Sequence, residues 1–124
     1  MRIAISTEGN SINSKLDRRF GRCDTFIIID QPDKVVTVIP NSAQAASGGA
    51  GIAAAQTICD AGVDVVITGQ VGPNAIKVLQ AAGVKILEGI DGTAAANLAA
   101  FENGSLNAIT ESGKAHFGMG GRYI

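Results

Sequence analysis

The stretch that most constrains this chain runs from Val63 to Ile86: Val63-Asp64-Val65-Val66-Ile67-Thr68-Gly69, then Gln70-Val71-Gly72, then Pro73 to Ala82, Gly83 and Val84-Lys85-Ile86. An unbroken β-branched run without polar alternation suits a strand covered on both faces, as in a parallel sheet with helices above and below it. Pro73 pre-sets φ at a first helical position, and Ile76, Leu79 and Ala82 follow at helical spacing. Gly83 then supplies the left-handed stop that glycine adopts at least cost. The segment therefore reads as a βαβ unit. In open α/β sheets ligands bind beyond the carboxyl ends of the strands, which directs attention to the turn Thr68 to Gly72.

The rest of the chain fits around this unit. Arg2 to Ser6 reads as a short apolar strand, and Thr7 to Arg19 as a polar loop. Thr25 to Asp30 and Val35 to Ile39 are the arms of a hairpin turned by Gln31-Pro32-Asp33-Lys34. Pro40 to Gly51 is a glycine-, serine- and alanine-rich loop long enough to be functional. A helix follows from Ile52 to Ala61, with Ile52, Ala55 and Cys59 expected on its buried face and Gly62 as its stop. Asp91-Gly92-Thr93 caps a last helix to about Asn103, anchored by Leu98 and Phe101 and ended by Gly104. The order βββαβαβα predicts an α/β domain over residues 1–109, with a five-stranded mixed sheet between helices. The first strand is central, antiparallel to the second and parallel to Val63 to Gly69, so Ser6-Thr7 and Thr68-Gly69 open into one crevice. Hydrophobic periodicity vanishes from Thr110, and residues 110–124 are expected to form a flexible glycine-rich tail.

Composition narrows the function. At 124 residues the chain can bury roughly two-thirds of its unfolded surface without metal or disulfide support. A formal net charge of −1, the lack of a basic stripe and few aromatic rings argue against nucleic acid as a partner. No segment reaches the ~20 apolar residues of a membrane span, and the chain enters Ile3-Ala4-Ile5 without a leader pattern, so a cytoplasmic protein is expected. Monomer and weak homodimer both stay open.

Cys23 follows Arg18-Arg19-Phe20-Gly21-Arg22, and nearby guanidiniums favour a thiolate able to bind soft metals while attracting an anion; the alternative is a half-buried thiol beside surface arginines. Cys59 reads as a small core residue. Ser47-Gly48-Gly49-Ala50-Gly51, leading into a helix, offers an anion cradle of backbone amides, or else a flexible connector. Gly49 to Ala54 fits a dinucleotide fingerprint weakly: the preceding loop is long, and no acid follows the next strand to hold a ribose. His116, the only histidine, and Met119 could donate imidazole and thioether to a soft metal, or lie in a disordered tail. No serine or cysteine has a base and an orienting acid at readable spacing, so nucleophilic catalysis is poorly supported.

Arg2-Ile3-Ala4-Ile5, Arg19-Phe20-Gly21-Arg22-Cys23 and Phe26-Ile27-Ile28-Ile29-Asp30 together resemble the signature of the dinitrogenase iron-molybdenum cofactor biosynthesis family. Asn41 before a glycine-rich loop, Gly62 to Ile67 with Gly72-Pro73-Asn74-Ala75, Ala82 to Lys85, and Gly92-Thr93 extend the resemblance to about residue 107. That family includes carriers of nitrogenase cofactor precursors and a small molybdenum-copper orange protein. The resemblance implies a ribonuclease H-like three-layer fold without nuclease activity. It implies a non-catalytic protein that holds a metal-sulfur cluster, of iron-molybdenum or molybdenum-copper type, and exchanges it with donor or acceptor proteins. The motifs place Arg19, Gly21, Arg22, Cys23, Ser47, Gly48, Gly49, Gly51, Gly69 and Gly72 around the cluster, with Cys23, His116 and Met119 as candidate metal donors. Where many members carry His or Cys in the loop, this chain has Gln44, Ser47 and backbone. The competing expectation is an interaction module for a partner such as an assembly-pathway ATPase.

Overall fold

The computed structural model describes residues 1–44, 48–111 and 114–115. Its sheet runs in the order β3-β2-β1-β4-β5-β6-β7. The strands are β1 (Arg2–Thr7), β2 (Thr25–Asp30), β3 (Val35–Pro40), β4 (Val65–Thr68), β5 (Lys85–Glu88), β6 (Asn107–Glu111) and a short β7 (Lys114–Ala115). Three helices, α1 (Ala50–Asp60), α2 (Pro73–Ala81) and α3 (Ala94–Glu102), complete the mixed α/β domain. Strand β1 is central, antiparallel to β2 with Ile3 opposite Ile29, and parallel to β4 with Ile5 opposite Ile67.

Alternation along the strands divides the core in two. Ala4, Phe26, Ile28 and Val66 face α1 and α2 and pack with Ala54, Ile58, Ile76 and Leu79. Ile3, Ile5, Ile27, Ile29 and Ile67 face the other way and pack against Ala94, Leu98 and Phe101 of α3. Both faces of the central strands are therefore dry, which is why they carry continuous isoleucine and valine. Gly62, Gly83 and Gly104 follow the helices at φ of 70°, 78° and 71°, as stop signals require.

Three expectations need correction. The sheet gains β6, antiparallel to β5 with Leu87 opposite Ala108, and β7 beside it, so the count exceeds five. Asn107-Ala108-Ile109-Thr110 carries too little apolar weight to announce a strand, and only its neighbours make Ile109 a core residue. The boundary set at 109 accordingly falls inside β6; residues 116–124 of the expected tail lie outside the described residues. On α1 the buried residues are Ala50, Ala54, Ala55 and Ile58, whereas Ile52 is 40 % exposed and Cys59 half-buried. The helix starts two residues earlier than its apolar pattern suggests, and small alanines rather than Ile52 fit against α2 and the sheet.

Candidate functional site

The carboxyl ends of β1 and β4 do meet, and their polar side chains satisfy one another instead of facing solvent. Buried Ser6 Oγ hydrogen-bonds with the Asp17 carbonyl and with Thr68 Oγ1, both at 2.7 Å. The segment from Leu16 to Arg22 lies across these strand ends, with the Asp17 amide donating to the Ser6 carbonyl at 2.9 Å and the Phe20 amide to the Gln70 carbonyl at 3.2 Å. Gly69 allows this closure. A Cβ there would lie 2.5 Å from the Arg18 backbone, so Gly69 is a buried packing position and not a solvent-facing ligand donor. The open crevice expected between the two strands is thus roofed.

What remains open lies one layer further out, where the 3-10 turn Phe20–Arg22 packs on the start of α1. A Cβ on Gly21 would come within 2.7 Å of the Gly51 amide nitrogen and 2.9 Å of its Cα, so two glycine backbones touch. Gly51 in turn faces Ala75, which brings the amino terminus of α2 beside that of α1. Gly48, Gly49 and Gly72 surround this junction, exposed and with nothing among the described residues within 4 Å of a would-be Cβ. Gly49 caps α1 at φ 69°, ψ 18°, and neither it nor Gly72, the cap of α2, supplies a side-chain acceptor. The first-turn amides of Gly51, Ile52, Asn74 and Ala75 therefore have no side-chain acceptor among the described residues. Two positive helix ends converge on a surface stripped of Cβ atoms, which is an environment for an anion.

The arginines divide their labour. Arg18 reaches Glu88 at 3.1 Å and Asp91 at 3.2 Å, on the α3 side. Arg19 forks onto Asp17 at 2.8 and 3.0 Å, and Asp17 also accepts the Arg19 amide at 3.0 Å. Burial pushes the Asp17 carboxyl up, but these Arg19 bonds outweigh it and hold the group below its ordinary pKa. Exposed Arg22 donates to the Gln44 carbonyl at 2.8 Å, which leaves its charge at the rim of the glycine-rich loop. Arg18 and Arg19 thus each face a carboxylate.

Cys23 contradicts its expected role. It is fully buried, its Sγ donates to the Phe20 carbonyl at 3.4 Å, and the Asn41 side-chain amide lies 3.7 Å from the sulfur. Burial, reinforced by the Asp17 charge, pushes the thiol up to about 12, so it is a neutral core group and not an accessible thiolate. Sequence spacing placed guanidiniums near it; the fold turns two of them onto carboxylates. Ser47, His116 and Met119 lie outside the described residues, among which no group of three or more His, Cys, Asp or Glu is placed to hold a metal ion.

Sequence reasoning missed two positioning residues. Asn41, 5 % exposed, donates to the Gly21 carbonyl at 3.1 Å and the Cys23 carbonyl at 2.9 Å while accepting from the Ala43 amide at 3.2 Å. It ties the 3-10 turn to the loop that feeds α1. Asp17 does the same for the roof over the strand ends. An asparagine directly after a strand and ahead of a glycine-rich loop was the available signal for the first; Asp17 had none. A cavity of 430 Å3 between Glu8, Lys15, Asp17, Arg18, Arg19 and Asp91 lies on the α3 side of these strand ends. Its arginines are already paired with its own acids or with Glu88, which makes it a poorer anion site than the helix junction.

Comparison with known proteins gives the same direction. A family model described as dinitrogenase iron-molybdenum cofactor matches residues 1–104. An uncharacterized protein of Methanocaldococcus jannaschii is 30% identical over 89 residues, covering 69% of this chain and 72% of that protein. Among solved structures, the apo form of the orange protein from Desulfovibrio gigas superposes with a TM-score of 0.87 at 35% identity, covering 91% of this chain and 96% of that one. A Thermotoga protein described as a candidate NifB protein superposes at 0.81 with 34% identity, covering 91% and 97% of the two chains. The chain belongs to the dinitrogenase iron-molybdenum cofactor family.

Proposed function

We propose that this protein is a non-catalytic carrier of an anionic metal-sulfur cluster, held at the junction of α1, α2 and the 3-10 turn. The observation that carries the reading is the pair of adjacent, uncapped helix amino termini opening onto Gly48, Gly49 and Gly72. A thiometallate is soft, polyanionic and rich in sulfide acceptors. Backbone amides and one guanidinium can hold such a cargo without a dense set of cysteines, which agrees with a buried, neutral Cys23. Arg22 supplies the cation and Asn41 fixes the turn that presents it. Family membership and the likeness to the orange protein support a cluster of iron-molybdenum-sulfur or molybdenum-copper-sulfur type. The strand order, with helices on both sheet faces, agrees with a ribonuclease H-like description. Cargo would pass to and from cluster-donor and cluster-acceptor proteins, an ATPase of the assembly pathway among them, in the cytoplasm. No helix of the described residues is long and apolar enough to cross a membrane.

The test is elemental analysis with visible spectra on protein prepared without oxygen, before and after mixing with thiomolybdate, copper and iron-sulfide sources. Stoichiometric metal with charge-transfer bands in the parent and in Cys23→Ala, but reduced in Gly72→Asp, supports the amide cradle. Colourless, metal-free parent protein under every condition removes the carrier reading in favour of a partner-binding module.

A further inference from the structure

Strand β3 closes one edge of the sheet, and among the described residues nothing pairs with its outer side. Val35, Val36 and Val38 are 55 %, 45 % and 37 % exposed, and no charged residue interrupts Val35 to Pro40. Edge strands are ordinarily blunted by charge, brevity or a covering element, so a bare run of β-branched residues is an unsatisfied template. Grooves run along it on both faces. One of 320 Å3 lies between Val36, Ile29 and Leu98 on the α3 side, with Lys34 and Glu102 on its wall, and one of 280 Å3 between Thr37, Ile39 and Ala61 on the other, with Arg2 and Asp30 on its wall.

A second copy of the same strand fits this edge on two counts. The first is sequence symmetry: Val35-Val36-Thr37-Val38-Ile39 reads almost identically in both directions about Thr37. The second is hydrogen-bond phase. Continuing the β2–β3 register, the Asn41 amide donates to the Asp24 carbonyl at 3.0 Å. Antiparallel pairs alternate between bonded and non-bonded, so Ile39, Thr37 and Val35 turn their main-chain groups toward β2, while Val36 and Val38 turn theirs outward. Pro40, which has no amide hydrogen to give, falls on the outward phase as it must.

We infer that β3 is a homodimer interface, in which a second copy adds its own β3 antiparallel about a two-fold axis through Thr37. In that register Val36 exchanges main-chain hydrogen bonds with the partner's Val38, and the symmetry repeats the exchange. Val35 lies across from the partner's Ile39, and Thr37 meets the partner's Thr37 on the axis as a non-bonded pair with close side chains. Each copy's valines then enter the grooves of the other on both faces. The outward bonding phase admits an axis through a residue of the strand, and centring it on Thr37 overlaps the whole run Val35 to Ile39 with its copy, apolar opposite apolar. A six-residue edge falls below the roughly 1,200 Å2 of a standard interface, so the dimer is weak and concentration-dependent. This interface is independent of the cluster reading, and its test needs no metal.

The experiment is sedimentation velocity of the full chain over a roughly hundredfold concentration range, with Thr37→Lys, Thr37→Asp and Thr37→Val beside the parent. The Thr37 side chain is exposed, so all three should keep the parent's circular dichroism and thermal midpoint. Parent and Thr37→Val should show a monomer–dimer equilibrium. Thr37→Lys and Thr37→Asp, each placing like charges on the axis, should each raise the dimer Kd by roughly tenfold. An equimolar mixture of these two should regain the parent's dimer, because Lys then faces Asp. A monomeric parent at every concentration, a dimer indifferent to both charges, or assemblies larger than a dimer would overturn the proposal.

Discussion

Cys23 and Asp17 lie under the same roof and respond to pH in opposite directions. With its pKa raised from 9.0 to about 12, Cys23 is protonated in the native state over a range where the unfolded thiol ionises. Its contribution to stability is complete below pH 9 and falls between there and the native value, at about 1.4 kcal/mol per pH unit. Urea unfolding of the parent should therefore weaken more steeply across this alkaline range than that of Cys23→Ala, with the difference between the two curves isolating the thiol from other groups. In the native protein the same thiol should be inert to a disulfide reagent near neutral pH. Asp17 runs the other way: its pKa is lowered, so its contribution is present above the unfolded carboxyl value and is lost as pH falls through the native one. Asp17→Asn should cost about 1–2 kcal/mol near neutrality and flatten the acid limb of a stability–pH curve, since Arg19 loses its forked partner. A variant with an unchanged acid limb would show that Asp17 does not hold the roof.

The turn over the strand ends and the two helix starts are governed by where Cβ atoms are forbidden and where they are free. Gly21→Ala and Gly69→Ala drive a methyl group into backbone at 2.7 and 2.5 Å, and backbone cannot swing aside as a side chain can. Each should cost about 2 kcal/mol or more in denaturant unfolding. Gly72 is the opposite case, with extended backbone at φ −68°, ψ 162° and open space around it. Gly72→Asp should cap α2 and raise stability by a few tenths of a kcal/mol, yet occupy the amides of Asn74 and Ala75 and repel an anionic cargo. A gain in thermal midpoint with a loss of cluster uptake separates a binding position from a structural one; a loss of both would not. Asn41→Ala removes the partners of two buried backbone groups and one part-buried carbonyl and should cost about 2–3 kcal/mol.

Among the described residues the sheet is covered on its two faces and uncovered at its β3 edge. Most of that plan is written in local chemistry. The β-branched runs at Phe26 to Ile29 and Val65 to Ile67, the proline at the start of α2, the Thr93 cap that accepts the Ala96 amide at 3.0 Å, and the glycines that stop each helix all signal their element without help from distant residues. Strand β6 does not, because Ala108 and Ile109 acquire their partners from β5, α2 and β7. The face of α1 was also hidden: a helix of alanines has no dominant stripe, and contact with α2 chose Ala54, Ala55 and Ile58 over Ile52.

The candidate site shows the same boundary between local and distant causes. Glycine before a helix announces uncapped backbone wherever the chain goes, so the exposed helix starts at Gly49 and Gly72 were legible. The fate of Cys23, Arg18 and Arg19 was not, because charge and burial depend on what arrives from far along the chain. Asp17 reaches Arg19 locally, but Glu88 and Asp91 reach Arg18 from the end of β5 and the turn after it, and Asn41 reaches the Cys23 carbonyl from beyond β3. Period, caps and stops are properties of neighbours along the chain and determine the elements and the exposed amides. Solvation and ion pairing are properties of neighbours in space, and here they made an expected metal ligand a core thiol and drew Arg18 and Arg19 onto carboxylates.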